Sequence, residues 1–455
     1  MPRAASVAGS PRARRRSSSG VAQGPLAQEW DGRHLSRVWN AHGCAAPAPG
    51  DGSSSRVRDV LAHTFLPEGF PDSVTEDYLG FQVWDTIQAL SSYVRWMLSS
   101  HAIMTGIGVG NEAATAYGAV FLFAVRDMTG MLGGLAFGYF EGSGFDSCAK
   151  QWRLFADIMN DLAYTVDLAS PMFPQAFLVV ACLGSLARAC VGVAGGATRA
   201  ALTVHFARSG NAADIAAKEQ AQETCVTALG MLLGIATTRL FSANVFAAWV
   251  LFSVLTAVHV WANVRAMRCL VLTSVNQPRL EGLLAAHTEK GVVLTPREMA
   301  VREDLTPPPF ARARAALLGD PRPIRLGVRL GAAATECAGG LAGLLAEQGH
   351  RRYLVVPTPR AVLVVLHRHA DSAETLRAYT HAWRVRHSLE GSAKVGDAID
   401  GALVEQTPDE WMQATFPSVT AELEAAGWQL GHVRLPRARW TAEWKVTPRR
   451  AKKED

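Results

Sequence analysis

Four titratable residues between Ala149 and Ala163 are spaced for chemistry. Lys150, Arg153, Asp157 and Asp161 follow one another at intervals of three, four and four residues, so on a helix they share one face. Leu154, Phe155, Ile158, Met159 and Leu162 fall largely on the other side. On a wet surface such a stripe is an ordinary set of salt bridges. Among apolar helices it is a buried polar core, because a charge held away from water needs a partner. The surrounding sequence is apolar and glycine-rich, which favours the buried reading.

Other polar residues stand in similar company. Glu112 is the only acidic or basic side chain between Arg95 and Arg126, a stretch long enough for one membrane-spanning helix of about 20 residues. A carboxylate at that depth requires a partner or a water-filled cavity. Arg126 and Asp127 follow at once, and Arg199 and His205 lie in the alanine-rich run GATRAALTVHFA. No second ligand stands at helical spacing from His205, which argues against a metal. Asp214 and Lys218 have the favourable four-residue spacing of a helical ion pair. The candidate polar core or ligand path is therefore Glu112, Arg126, Asp127, Arg153, Asp157, Asp161, Arg199 and His205. Gly106, Gly108 and Gly110 in GIGVG resemble half a dinucleotide fingerprint, but no β-branched strand precedes them and Asn111 stands where the third glycine belongs. Together with Gly195 and Gly196 they read as sites of close helix approach.

The elements that must position these residues are mostly apolar helices. Of 455 residues 49% are hydrophobic and 19% charged, with 40 glycines. The net charge of +5 comes largely from arginine-rich ends, without interleaved aromatics, so nucleic acid is excluded as a partner. Seven cysteines are scattered without a CxxC pair, which indicates neither a disulfide framework nor zinc. Uncharged runs recur at 128–140, 172–196 (broken by Arg188), 225–238 and 241–264. The last has 24 uncharged residues followed by Arg265 and Arg268, which predicts a span whose C-terminal end stays on the non-translocated side.

The ends differ. Met1 to Gln28 carries five arginines and no acidic residue, the composition of a transit peptide or a disordered basic tail, and a linker rich in Gly, Pro, Ala and Ser follows to Arg56. Thr306 to Pro309 reads as a linker, YLVVP and AVLVVL as two strands, and Asp371 with Glu374 as a capping box for a helix to about Val385. A further helix spans about Pro417 to Ala426, and the alternation in WTAEWKV predicts a half-buried strand. The expected architecture is mainly α: a tail over 1–60, a multi-helix membrane-embedded domain with glycine-rich helices over 61–280, a linker and helical connection over 281–345, and a small α+β domain over 346–455.

In this order, FLPEGFPDSV, GIGVGNEAAT, RDMTGMLGG, AKQWRLFADIMND and VAGGATRAALTVHFAR make the chain resemble the root UVB sensitive family. The match covers roughly Thr64 to Leu280, and the C-terminal part has the family's layout. The resemblance implies a membrane-associated protein of a plastid, a mitochondrion or another endomembrane. It links the chain to vitamin B6 photoprotection and homeostasis, UV-B tolerance, early seedling growth and auxin transport. It carries over no catalytic residues and no cofactor. Its expected partners are the lipid membrane, a family member or other protein, and a small anionic metabolite such as a B6 vitamer. Two functions follow: movement of a small polar metabolite, or a non-transporting membrane scaffold whose C-terminal domain binds partner proteins. An enzyme is not expected, because the titratable residues form no recognisable acid/base or metal arrangement.

Overall fold

The computed structural model describes residues 26–31, 34–40, 43–45, 53–109, 115–241, 244–319, 322–337, 339–394, 407–435 and 439–446. Glu112 and Gly110 lie outside these residues, as does most of the expected N-terminal tail. A first unit ends at Phe70. It holds a three-stranded antiparallel sheet, β1 (Ala27–Asp31), β2 (His34–Asn40) and β3 (Gly43–Ala45), and helix α1 (Ser53–Phe65). Sequence composition suggested tail and linker here. The missed signal is the pair of short runs containing Trp and Val, Ala27–Asp31 and His34–Asn40, on either side of a glycine.

The second unit begins with six long helices: α2 (Tyr78–Ile107), α3 (Ala116–Glu141), α4 (Ala149–Ala169), α5 (Phe177–Phe206), α6 (Ala212–Phe241) and α7 (Val245–Cys269). Residues 96–125 do not form the single helix that their lack of charge suggested. Gly108, in the left-handed conformation at φ 94°, ends α2, and Thr115 starts α3 by accepting a hydrogen bond from the Gly118 amide. The predicted span at 241–264 is displaced a few residues, because Asn244 caps α7 through the Ala247 amide. Among the described residues four helices are long and apolar enough to cross a membrane: Ala116–Glu141, Pro174–Phe206, Ala212–Phe241 and Val245–Cys269.

Close contacts fix the order of the bundle. Gly130, Gly134 and Gly138 face Ser185, Ala189 and Val193, so α3 and α5 run parallel. Gly184 faces Ala163 and Asp167 while Gly195 faces Ala156, so α4 and α5 are antiparallel. Gly230 and Gly234 lie on Tyr93 and Met97, which makes α6 parallel to α2. Trp84 meets Trp261 at 4.9 Å and Gly80 meets Cys269, so α7 returns against α2. One end of the bundle, here the near end, therefore gathers the start of α2 and the end of α7.

The chain then enters an α+β part: β4 (Ser274–Asn276), α8 (Gln277–Lys290), α9 (Pro296–Arg302), α10 (Pro308–Leu318), β5 (Ile324–Leu326), α11 (Leu330–Thr335), α12 (Gly340–Gln348), β6 (Tyr353–Pro357), β7 (Val362–His367), α13 (Ser372–Lys394), α14 (Pro408–Ala414), α15 (Phe416–Ala425), β8 (Gln429–Arg434) and β9 (Thr441–Ala442). β7 pairs with β5 and β9 in parallel and with β6 antiparallel, and β4 pairs in parallel with β8. Residues read as linker and connection, Leu283, Leu284, Leu294 and Met299, share one core with Trp383, Trp411 and Trp428. The TPPP stretch opens α10 instead of linking. The predicted last strand shrinks to Thr441–Ala442: Trp444 is buried, but Trp440 on the same alternation is exposed.

Candidate functional site

Helix α2 carries a polar stripe into the bundle. Gln82, Gln88, Ser91, Arg95 and Ser99 recur at helical spacing and are all buried, Arg95 completely. Helix α4 runs parallel beside it and supplies the complement. Arg153 reaches Asp85 at 3.1 Å and Asp157 at 3.6 Å, Asn160 donates to Ser92, and Ser99 donates to the Tyr164 carbonyl. Asp161 is paired with Arg95 Nη1. Arg95 also donates to Thr256 on α7, and His259, one turn further on, places Nδ1 2.9 Å from Asp161 Oδ1. Three helices thus meet on one carboxylate.

Helices α5 and α6 close the near side of this core. Arg199 pairs with Glu223 at 2.6 Å, and Tyr93 also donates to Glu223. Gln82 and Thr203 both donate to Glu219, which is 8% exposed. Between them is a cavity of about 70 Å³ lined by Asp85, Arg153, Arg199, Glu219 and Glu223 with Gln82 and Gln88. At roughly 10–15 Å³ per water it takes a few waters or a small ion. Toward the far end Arg188 pairs with Asp167. Gly184 makes room for that pair, since a Cβ there would come within 2.3 Å of Asp167 Oδ1.

The residues singled out in the sequence separate into groups. Arg153, Asp157, Asp161 and Arg199 converge on this core. Arg126 lies in α3 at 3.8 Å from Asp127, whose side chain is largely exposed. His205 leaves the core and pairs with Asp77 at 2.9 Å in a cleft of about 890 Å³ at the near end, also lined by Arg208, Arg268 and Arg434. Burial pushes the Asp77 carboxyl up, but His205, Thr75 and the Val271 amide outweigh this and hold it below the usual carboxylate range.

Lys150 does not join its helix-mates. It turns to the Leu270 carbonyl at 2.7 Å and to Glu303 at 3.1 Å, and burial depresses its pKa to about 8. Glu303 also receives Arg279 at 3.1 Å and Gln151 at 3.0 Å. Burial raises the Glu303 carboxyl, yet Arg279 and Lys150 outweigh it and hold the group below its ordinary value. This cluster ties α4 to the α+β part.

The glycines expected to pack also divide. A Cβ on Gly106 would strike the Phe177 ring at 2.2 Å, whereas Gly196 faces open space, Gly195 only ordinary contact at 3.9 Å, and Gly108 serves as a cap. Asp85, Arg95, Glu223 and His259 were missed, and Glu219 reads in the sequence only as continuing the polar face of Asp214 and Lys218. The α2 stripe was visible at spacing three, four and four from Gln88 to Ser99, and Thr256, His259 and Asn263 repeat it within the apolar run of α7. Among the described residues no group of three or more His, Cys, Asp or Glu side chains is arranged to hold a metal.

Comparison with known proteins adds a frame to this geometry. Residues 51–291 match a vitamin B6 photo-protection and homoeostasis domain, and residues 316–444 match a root UVB sensitive protein C-terminal domain. The chain is 39% identical over 426 residues to protein root UVB sensitive 3 of Arabidopsis thaliana, covering 92% of this chain and 94% of that one. It is 42% identical over 229 residues to RUS family member 1 of Dictyostelium discoideum, covering 50% of this chain and 44% of that one. It is 27% identical over 385 residues to protein root UVB sensitive 2, chloroplastic, of Arabidopsis thaliana, covering 84% of each. No solved structure matches. None of these descriptions names an enzymatic activity.

Proposed function

We propose, starting from the fact that this chain belongs to the root UVB sensitive family, that it is an integral membrane protein of vitamin B6-related homeostasis which moves a small polar solute through the charged interior of its bundle. The supporting observation is inverted polarity. The 18-residue apolar windows of the four candidate spans are only 6, 28, 11 and 17% buried, and they present Tyr117, Leu135, Leu232 and Phe246 outward. Arg95, Asp161, Glu219 and His259 face inward instead. In water this arrangement exposes what should be buried and buries what should be hydrated. In a bilayer each face meets its own solvent, and intramembrane charges on a bundle interior mark a path for polar solutes.

In the conformation described the chamber takes only water or a small ion, so a pyridine-sized solute requires the helices to part. That same tightness supports a second reading, a scaffold that conducts nothing and presents its α+β part to protein partners. The test uses full-length protein in proteoliposomes, with uptake of pyridoxal, pyridoxine, pyridoxamine and their phosphates measured beside Arg199→Gln and Glu219→Gln. Uptake of one vitamer class that both variants abolish is expected of the transport reading. Resistance of the native protein to carbonate extraction without uptake of any of them leaves the scaffold. Extraction by carbonate would remove both.

A further inference from the structure

The middle of the bundle holds a charge that its protein partners leave unmatched. Arg95 and Arg153 are the two guanidiniums; Asp85, Asp157 and Asp161 are the three carboxylates they touch. These five groups leave one negative charge over, and the adjoining Arg199, Glu219 and Glu223 leave another. Away from water an uncompensated carboxylate is costly enough that such a group takes up a positive charge. His259 stands where that charge is needed. Its ring is fully buried, Nδ1 lies 2.9 Å from Asp161 Oδ1, and neither ring nitrogen makes a hydrogen bond, nor do Asp161 Oδ2 and Asp157 Oδ2. The charged groups facing the ring are Arg95 from α2 and Asp157 and Asp161 from α4. Helix α7 itself adds Thr256 and Asn263 on the same face, both uncharged. Helices α6 and α9 also touch α7 but bring no charged group against the ring.

We propose that Asp161 and His259 form a buried proton site. A proton from water adds to a free imidazole nitrogen, and the resulting imidazolium is balanced by the carboxylates of Asp157 and Asp161. An imidazole suits a proton better than a hard cation, whose sites are built from oxygen ligands. Within the transport reading, on which this use rests, the proton is the coupling ion. Losing it leaves the two carboxylates of α4 without a charged partner on α7, which loosens the α4–α7 contact while Arg95 still holds α2 to α4; gaining it restores that contact.

Full-length protein with ¹⁵N-labelled histidine, reconstituted in phosphatidylcholine liposomes, provides the test by NMR. The signal lost in His259→Gln, or in His259→Asn if the first variant does not fold, identifies this ring among the 13 histidines. In native protein at pH 7 the ring should carry imidazolium shifts in choline chloride and in sodium chloride alike. Asp161→Asn, or Asp157→Asn if that variant does not fold, should turn it neutral at the same pH. A neutral ring in native protein overturns the proton site, and so does an imidazolium that survives the aspartate substitution. A ring charged in choline chloride and neutral in sodium chloride gives the site to sodium, which overturns it too. No solute enters this measurement, so a charged His259 in a protein that takes up no vitamer would remove transport and leave the proton site standing.

Discussion

Asp161 answers to two helices at once, and its loss should be felt through Arg95, whose guanidinium is fully buried. Asp161→Ala leaves that cation unpaired, at a cost on the order of 3–5 kcal/mol. Glu374→Ala removes a half-solvated pair with Arg352 at 3.5 Å and the bond its carboxylate returns to the Asp371 amide, and should cost only about 1 kcal/mol. Thermal unfolding of both variants in detergent, with complementation in vivo, measures the contrast; equal behaviour would return α4 to an ordinary surface stripe. His381 in α13 offers a pH test outside the bundle. Burial, with Arg351 beside it, lowers its pKa from 6.5 to about 4, against the opposing pull of Asp409. The folded state thus binds fewer protons than the unfolded one between these values. Stability is complete above pH 6.5 and falls on acidification, by about 2 kcal/mol at pH 5. Denaturant unfolding of the α+β part at pH 7 and pH 5 should show this loss, and His381→Gln should abolish it. The aspartates of α4 were legible because a helix fixes their common face. Their partners lie 66 residues away at Arg95 and 98 at His259, and periodicity within one helix carries no information across such separations. Arg95 reads as the edge of an uncharged run, although its place in the stripe from Gln88 to Ser99 was there to be seen.

Helix pairs are set by glycines, and by fewer than the sequence offers. A Cβ on Gly230 would come within 2.5 Å of Tyr93 Cβ, and one on Gly234 within 2.4 Å of Met97 Cγ. Gly230→Val and Gly234→Val should therefore force α6 away from α2 and open the chamber wall that carries Glu219 and Glu223. Gly196→Ala meets nothing within 4 Å and should stabilise the helix by about 0.5–1 kcal/mol. Melting temperatures in detergent separate these outcomes, and a destabilised Gly196→Ala would contradict the open space there. The spacing of Gly230 and Gly234, four residues apart, was a readable signal of close helix approach. The adjacent Gly195 and Gly196 were not, because a run of glycine records conformational freedom without saying which face meets a neighbour. The caps were equally uneven: Asp371 and Glu374 reciprocate as expected, whereas Gly108 ended a helix that charge counting alone would continue.

At the scale of the molecule, six helices that alternate in direction bring the start of α2 and the end of α7 to the side where the α+β part lies. On the membrane reading proposed above, Arg265 and Arg268 would mark that side as the untranslocated one by the positive-inside rule. A C-terminal epitope on the full-length chain in sealed organelle vesicles should be digested by added protease while α3 to α7 survive. Protection of the epitope would reverse the orientation. The sequence divided the chain at composition changes, near 280 and 346, but the chain's own division is looser. Val275 and Trp428 share a core, because the strand leaving α7 pairs with one laid down near the C-terminus. The Glu303 cluster has a consequence for the order in which the protein is made. Lys150 leaves the ribosome 153 residues before the carboxylate that neutralises it, a delay of about 8–30 s at 5–20 residues per second. During that interval the nascent α4 carries an ammonium without its counter-charge, so its near end has reason to stay in contact with water. Seating of α4 would then be timed by translation of α9, and a ribosome paused between 270 and 303 would hold a bundle complete in helices but unfinished at its base.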